Sequence, residues 1–137
     1  MRVDHIAIAC RDVESLKAWY ERVLGFVAVV RKESSRARGQ TAYLVGPEGS
    51  PVTLELMGDD SSPLPQRKPF TRGIAHIALA VDSISESEKS LTARGVEWLG
   101  ERGEALGGGL VRSFLDPEGN MLQVVERPAD WRGQPGR

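Results

Sequence analysis

Two histidines hold equivalent places in two similar segments of the chain. His5 lies in DHIAIAC and His76 lies in AHIALAV, and the 137 residues contain no other histidine. An imidazole nitrogen is a common ligand of divalent metal ions, and it also carries protons near neutral pH. One strand histidine is more often structural, but two at matched positions favour a chemical site.

Strand alternation divides each of these segments into two faces. His5, Ala7 and Ala9 point to one side and Ile6 and Ile8 to the other, and the second segment repeats this order. We call the side with the histidine and alanines the histidine face and the other side the aliphatic face. Alanines beside a polar group leave room for a ligand, so the histidine face is where we expect a pocket.

Two later strands add polar side chains to the same face. In VTLELM the leucines lie on the aliphatic face and place Glu55 opposite, and in MLQVVE the same reasoning places Gln123 opposite Leu122 and Val124. Two imidazoles, a carboxylate and an amide oxygen suit a divalent metal ion such as zinc, nickel, cobalt, manganese or iron. The predicted metal ligands are His5, Glu55, His76 and Gln123.

The order of elements repeats along the chain with the histidines. A helix follows the first segment, with Asp12 as its N-cap and Gly25 as its stop, and a second helix runs from about Ser83 to Arg94. Three strands follow each helix, and matching glycines and turn prolines recur about seventy positions apart. We therefore predict an α+β fold of two βαβββ modules, 1–57 and 74–127. Residues 58–73 form the linker and 128–137 a frayed tail.

Composition bounds the partners of the protein. A formal net charge of −1 gives no reason to expect a nucleic acid or an anionic membrane as partner. No apolar run approaches membrane-spanning length, and the single cysteine, Cys10, lies in an apolar strand and rules out an internal disulfide framework. We expect a cytoplasmic protein that acts on a small molecule.

Two stretches resemble the vicinal oxygen chelate superfamily. HIAIACRDVESLKAWYERVLGF is similar to its opening strand and helix, and DPEGNMLQVVE to its closing turn and strand. The superfamily includes glyoxalase I, methylmalonyl-CoA epimerase, extradiol dioxygenases, and bleomycin- and fosfomycin-resistance proteins. The resemblance implies a curved, open, barrel-like mixed sheet with helices on its outer face, and it implies a homodimer. The superfamily takes its metal ligands from the first and last strand of each module, which are again the four residues above.

One ligand position departs from the pattern of the superfamily. A glutamate is usual four residues after the turn glycine, where this chain has Gln123. Glu126 has the wrong alternation to replace it and is interpreted as a solvated strand-end residue. An amide cannot accept a proton as a base, so Glu55 is the predicted catalytic base. Tyr43 and Arg112, on the penultimate strands, are predicted to reach into the cleft and bind the substrate.

Three functions are compatible with this set of residues. The resemblance favours a metal-dependent lyase or isomerase of glyoxalase type, which chelates a small carbonyl or hemithioacetal substrate and moves a proton between adjacent carbons. An extradiol-type dioxygenase would use His5, His76 and Glu55 on ferrous iron. A protein that binds a drug or metabolite without chemistry is the third, motivated by the missing second carboxylate.

Overall fold

The computed structural model describes residues 1–33, 41–59 and 72–131. The chain divides into two compact units, Met1–Gln66 and Arg67–Arg137. Most of the predicted linker and the last six residues of the predicted tail lie outside the described residues. The helices and strands are β1 (His5–Cys10), α1 (Val13–Leu24), β2 (Val27–Glu33), β3 (Thr41–Gly46), β4 (Thr53–Gly58), β5 (Ile77–Ala80), α2 (Ile84–Ala93), β6 (Trp98–Glu104), β7 (Leu110–Leu115) and β8 (Met121–Glu126).

Helix α1 begins and ends where the sequence predicts. The Asp12 carboxylate accepts a hydrogen bond from the Ser15 amide at 3.0 Å, which satisfies an amide of the first turn. At the other end Gly25 has a φ of 70°, a left-handed conformation that glycine adopts without strain. The buried side chains of α1 are Val13, Leu16, Tyr20 and Val23, whose spacing puts them on one face of the helix.

The first sheet has the strand order β1-β4-β3-β2. Strands β1 and β4 pair in parallel, and the other neighbours are antiparallel. A helix and two strands separate β1 from β4 along the chain, which is long enough for the crossover that parallel strands need. Helix α1 packs against β3 and β4. Leu54 and Leu56 are buried on that side, so the aliphatic face is the helix-covered face.

The second sheet repeats this arrangement with the order β5-β8-β7-β6, and β5 pairs with β8 in parallel. Helix α2 has Ser83 as its N-cap and buries the side chains of Ile84 and Leu91. It packs against β8 and β7. Strand β6 continues from Trp98 through polar residues to Glu104. An edge strand tolerates those residues because one side of it remains in solvent.

The fold class is α+β, as predicted, with two mixed four-stranded sheets that each carry one helix. No helix within the described ranges is long and apolar enough to cross a membrane.

Candidate functional site

The pairing of β1 with β4 brings His5 and Glu55 to the same face of the first sheet. Ala7 lies opposite Glu55 in the register, and His5 lies two residues before Ala7. Residues two apart in a strand share a face, so the histidine face carries His5, Ala7 and Glu55. His5 and Ala7 are exposed, and their neighbour Ile8 is only 7% exposed. The expected division into two faces is thus found in module 1.

The His5 imidazole lies between two carboxylates. Its Nε2 is 3.2 Å from Glu55 Oε2. Its Nδ1 is 2.9 Å from Asp4 Oδ2. The hydrogen bond with Asp4 is the main cause that raises the pKa of His5 above its ordinary value of 6.5. Desolvation is the second-largest cause and lowers this pKa, and the charges of Glu55 and then Asp4 raise it by less than the hydrogen bond does.

Asp4 also orients the neutral imidazole. When Nδ1 carries the proton and donates a hydrogen bond to Asp4, the lone pair of Nε2 faces the side where Glu55 lies. Metal-binding histidines in proteins are commonly held in this way by a carboxylate on the second nitrogen. The geometry of Asp4, His5 and Glu55 therefore fits a cation held between Nε2 and a carboxylate oxygen.

Module 2 repeats the spacing with different chemistry. Ala78 lies opposite Gln123 in the register of β5 and β8, and His76 lies two residues before Ala78. His76 is exposed and directly precedes β5. The Gln123 amide donates from Nε2 to Ser113 Oγ at 3.0 Å. The position before His76 is Ala75, so the carboxylate partner of His5 has no counterpart there.

The donor chemistry fits a divalent cation at each half. A cation of this kind accepts imidazole nitrogen and oxygen ligands, which are the atoms these four side chains offer. Within the described residues no group of three or more His, Cys, Asp or Glu side chains lies together in a metal-binding arrangement. Each module supplies two of the four predicted ligands.

Tyr43 and Arg112 lie on the helix-covered faces of their sheets and not on the histidine face. Tyr43 pairs with Leu56 and Arg112 with Val124, which places both on the helix-covered aliphatic face. The Tyr43 hydroxyl donates to Glu14 of α1 at 2.6 Å. Arg112 donates to Glu88 of α2 at 3.1 Å and lies over the Trp98 ring. Each thus has a structural partner in its own module, and its contact with a substrate stays a prediction.

Glu126 has the alternation that the sequence predicts but not the solvated environment. It is half-buried, and its Oε2 accepts a hydrogen bond from the Ile84 amide at 2.7 Å. The carboxylate thereby satisfies an amide at the start of α2. Its role is to hold the helix on the sheet, and this accounts for a carboxylate at that strand end.

Sequence reasoning missed two residues beside the predicted ligands. Asp4 was visible as the residue next to His5, but strand alternation assigned it no role because it has the opposite parity. Ser113 lies on the penultimate strand, and its contact with Gln123 depends on the antiparallel register, which pairs the two residues. The pair can be found by counting three residues outward from each end of the turn DPEGN at 116–120, which gives Ser113 on one strand and Gln123 on the other.

Solved structures share the fold of this chain. The glyoxalase family protein from Enterococcus faecalis superposes with a TM-score of 0.78 at 24% identity and covers 91% of this chain and 97% of its own. TnmS3, an antibiotic binding protein from Streptomyces sp. CB03234, gives a TM-score of 0.72 at 20% identity, with 93% and 97% covered. A mutant of FosX, the fosfomycin resistance protein of Listeria monocytogenes, gives 0.66 at 19% identity, with 93% and 91% covered. That structure is a complex with Mn(II) and 1S,2S-dihydroxypropylphosphonic acid.

Sequence comparison gives the family. An uncharacterised Bacillus subtilis protein, YwkD, is 32% identical over 125 residues, which are 91% of this chain and 96% of YwkD. A lactoylglutathione lyase of Neisseria meningitidis serogroup A is 26% identical over 129 residues, 93% of this chain and 91% of the lyase. The family model matches residues 2–124. The chain belongs to the Glyoxalase/Bleomycin resistance protein/Dioxygenase superfamily.

Proposed function

We propose that this protein is a metal-dependent lyase or isomerase of the glyoxalase type that acts on a small carbonyl compound or hemithioacetal. The observation that carries the proposal is the 3.2 Å approach of His5 Nε2 to Glu55 Oε2 on the histidine face. The similarity to a lactoylglutathione lyase supports the reaction class. The family name covers enzymes and binding proteins, and the His5–Glu55 pair supports the enzyme.

The proposed metal ligands are His5, Glu55, His76 and Gln123. The ion is zinc, nickel, cobalt, manganese or iron, and the Mn(II) complex of FosX supports a divalent cation in this family. When bound, the ion would polarise a substrate carbonyl and stabilise the negative charge that develops on its oxygen. The four donors come from one chain or from two copies of it.

Glu55 is the proposed base. One of its carboxylate oxygens takes a proton from the carbon next to the carbonyl, so a C–H bond breaks and an O–H bond forms on Glu55. The same oxygen returns the proton to the former carbonyl carbon, while the hydroxyl proton of the first carbon moves to the former carbonyl oxygen. The substrate leaves as its isomer with no net gain or loss of atoms. The Gln123 amide has no basic lone pair for this step. A single base on one side of the substrate favours transfer between adjacent carbons over epimerisation, which needs a base on each side.

The amide at position 123 also affects the metal. With one carboxylate in the ligand set, one positive charge of a divalent ion stays uncompensated. When bound, such an ion would withdraw more electron density from a substrate carbonyl and so acidify the neighbouring C–H bond. The arrangement thereby offsets the loss of a second basic group.

Metal analysis and a base-deleting variant test this function together. Protein purified without chelator is analysed for bound metal, loaded with each candidate ion, and assayed on hemithioacetals of small α-ketoaldehydes. We expect turnover by wild type and a loss of about a hundredfold or more in kcat for Glu55→Gln at matched metal content. Glu21→Gln, which removes the same charge from α1, serves as control. Wild-type turnover by a fully loaded Glu55→Gln protein would remove Glu55 from the role of base.

A second candidate is a protein that sequesters a drug or metabolite. It is favoured by the neutral half of the site in module 2, where Ala75 and Gln123 replace the two acids of module 1. The fold that it shares with the antibiotic binding protein TnmS3 is compatible with that role. Stoichiometric binding with the ligand recovered unchanged, by protein that purifies without metal, would support this candidate over the enzyme.

We also propose that the protein is a homodimer. All seven residues of β2 are exposed, and Val27, Val29 and Val30 among them are large and apolar. An edge strand with exposed valines is suited to contact another surface. Light scattering after gel filtration would give twice the mass of 15.0 kDa for a dimer.

A further inference from the structure

The last strands of the two modules differ in the neighbour of their proposed ligand. On the side away from the histidine, Glu55 pairs with Leu44 of β3, and Gln123 pairs with Ser113 of β7. The two positions are equivalent, because both neighbours belong to the third strand of their module. Leucine offers no hydrogen bond, whereas the Ser113 hydroxyl accepts one from Gln123 Nε2 at 3.0 Å.

In this hydrogen bond the Gln123 amide has its Nε2 toward Ser113 on β7. Strand β8 lies between β7, which carries Ser113, and β5, which His76 directly precedes. The oxygen and nitrogen of an amide lie on opposite sides of its carbon, so an Nε2 held toward β7 turns Oε1 toward β5. The residue opposite Gln123 on β5 is Ala78, whose side chain is a single methyl group.

We propose that Ser113 is a positioning residue that holds the Gln123 amide with Oε1 available as a metal ligand; this inference rests on the proposed function. Without the hydroxyl, Nε2 loses its acceptor on β7, and the orientation that leaves Oε1 to a cation loses this support. Gln123 is half-buried, and its hydrogen bond to Ser113 is partly shielded from water. The metal-free amide thus already has the orientation that leaves Oε1 without a contact to Ser113.

The same reasoning explains Leu44 in module 1. A carboxylate has two equivalent oxygens, and turning it over leaves an oxygen ligand in either case. Glu55 therefore needs no partner to fix its orientation, and an apolar neighbour suffices. An amide has one oxygen, so its replacement of a carboxylate makes an orienting neighbour necessary. Ser113 and Gln123 form one functional pair in this interpretation.

Metal affinity and the amide resonances of Gln123 test the inference with Co²⁺ as the probe. Ser113→Ala should weaken Co²⁺ binding about tenfold, as loss of a group that orients a ligand typically does, and Ser113→Thr should restore it to within about twofold. In metal-free protein the side-chain NH2 signals of Gln123 should move in Ser113→Ala and keep their positions in Ser113→Thr. In the Gln123→Glu background, Ser113→Ala should change Co²⁺ affinity by less than about threefold, because either carboxylate oxygen can bind.

Each outcome assigns the failure to one of the two proposals. Wild type that binds Co²⁺, with the same affinity and the same NH2 signals in Ser113→Ala, overturns the role of Ser113 and leaves the proposed function intact. An equal loss from Ser113→Ala in both backgrounds also overturns it, because the effect would then not depend on the amide. Wild type that binds none of the divalent ions overturns the proposed function and this inference with it.

Discussion

His5 is a histidine with two acidic neighbours on opposite ring nitrogens. The bond to Asp4 acts on Nδ1 and the approach of Glu55 acts on Nε2, so both stabilise the protonated ring. Because the pKa of His5 is raised, the stabilising effect is fully present below the unfolded value of 6.5 and is lost as pH rises through the folded pKa. Metal-free protein should therefore gain from these contacts on the acidic side of neutrality.

Removal of Asp4 should shift the titration of His5. In metal-free Asp4→Ala we expect the pKa of His5 to fall toward 6.5, because the largest cause of its elevation is absent. Asp4→Asn keeps an acceptor for Nδ1 without the charge and should give an intermediate pKa. NMR titration of the His5 ring proton measures both, with Glu21→Gln as control. A His5 pKa that is equal in wild type and Asp4→Ala would show that the Asp4 contact is absent in solution.

Alternation predicted the face of His5 and Glu55 because the residues beside them in each strand are aliphatic and identify the opposite face. The same alternation indicates the helix-covered face for Tyr43 and Arg112. Tyr43 has the parity of Val45 and Arg112 that of Phe114, and both apolar residues are 0% exposed under the helices. Asp4 and Ser113 act through side-chain hydrogen bonds, and those depend on rotamers and register that sequence spacing alone does not give.

Helix α2 is held on its sheet by ions as well as by apolar side chains. Only Ile84 and Leu91 are buried, fewer than in α1. Glu88 of this helix accepts hydrogen bonds from Arg102 of β6 and Arg112 of β7, and its side chain is 14% exposed. The bond from Arg102 is the main cause that lowers the pKa of Glu88 below its ordinary value of 4.5. The two buried apolar side chains of α2 are thus supplemented by the ion pairs of Glu88 with Arg102 and Arg112.

Glu88→Gln should destabilise the protein by about 1 kcal/mol at neutral pH, where a partly buried carboxylate with two guanidinium partners is lost. A lowered pKa means that the contribution is present above 4.5 and is lost as pH falls through the folded value. Urea unfolding of wild type and variant at several pH values measures the difference. Glu97→Gln, at an exposed position, should change little, and a Glu88→Gln effect that persists unchanged in acid would contradict the ionic origin.

The turn between β6 and β7 is fixed by residues that follow β8. Arg127 donates to the carbonyls of Leu106 and Gly108 and lies over the Trp131 ring, at 4.1 Å from its centroid. A Cβ on Gly107 would collide with that ring, and one on Gly109 with the Glu126 carbonyl. The predicted tail therefore begins with residues packed on the turn, as far as Trp131 is described.

Gly109→Ala should be much more destabilising than an alanine at another left-handed glycine. Gly109 has a φ of 97° and would bring its Cβ onto backbone, whereas Gly49 has a φ of 73° and no atom within 4 Å of a built Cβ. We expect about 3 kcal/mol for Gly109→Ala and about 1 kcal/mol for Gly49→Ala, since the second carries backbone strain alone. Thermal or urea unfolding compares them, and equal losses would show that the β6–β7 turn is able to move away from Glu126.

At the scale of the molecule, the two modules are alike in topology and unlike in charge. Their strand orders match, and in both the histidine lies two residues before the partner of the proposed ligand. The repeat made this order predictable, because each module is built from local contacts between elements close in sequence. Module 1 surrounds His5 with Asp4 and Glu55, while module 2 offers the uncharged Ala75 and Gln123. The two modules thus share one backbone arrangement around the histidine but differ in the charge of the side chains beside it.

If one metal site needs ligands from both modules, loss of either histidine should abolish metal-dependent stabilisation. At an ion concentration of about 100 times Kd, wild type should gain about 2.7 kcal/mol in its free energy of unfolding. His5→Ala and His76→Ala should each lose most of this gain, although they remove residues from different modules, while Glu97→Gln should keep it. Unfolding curves with Co²⁺ and with a chelator give the difference for each protein. A His76→Ala protein that retains the wild-type gain would restrict the metal to module 1, since His5 and Glu55 alone would then account for binding.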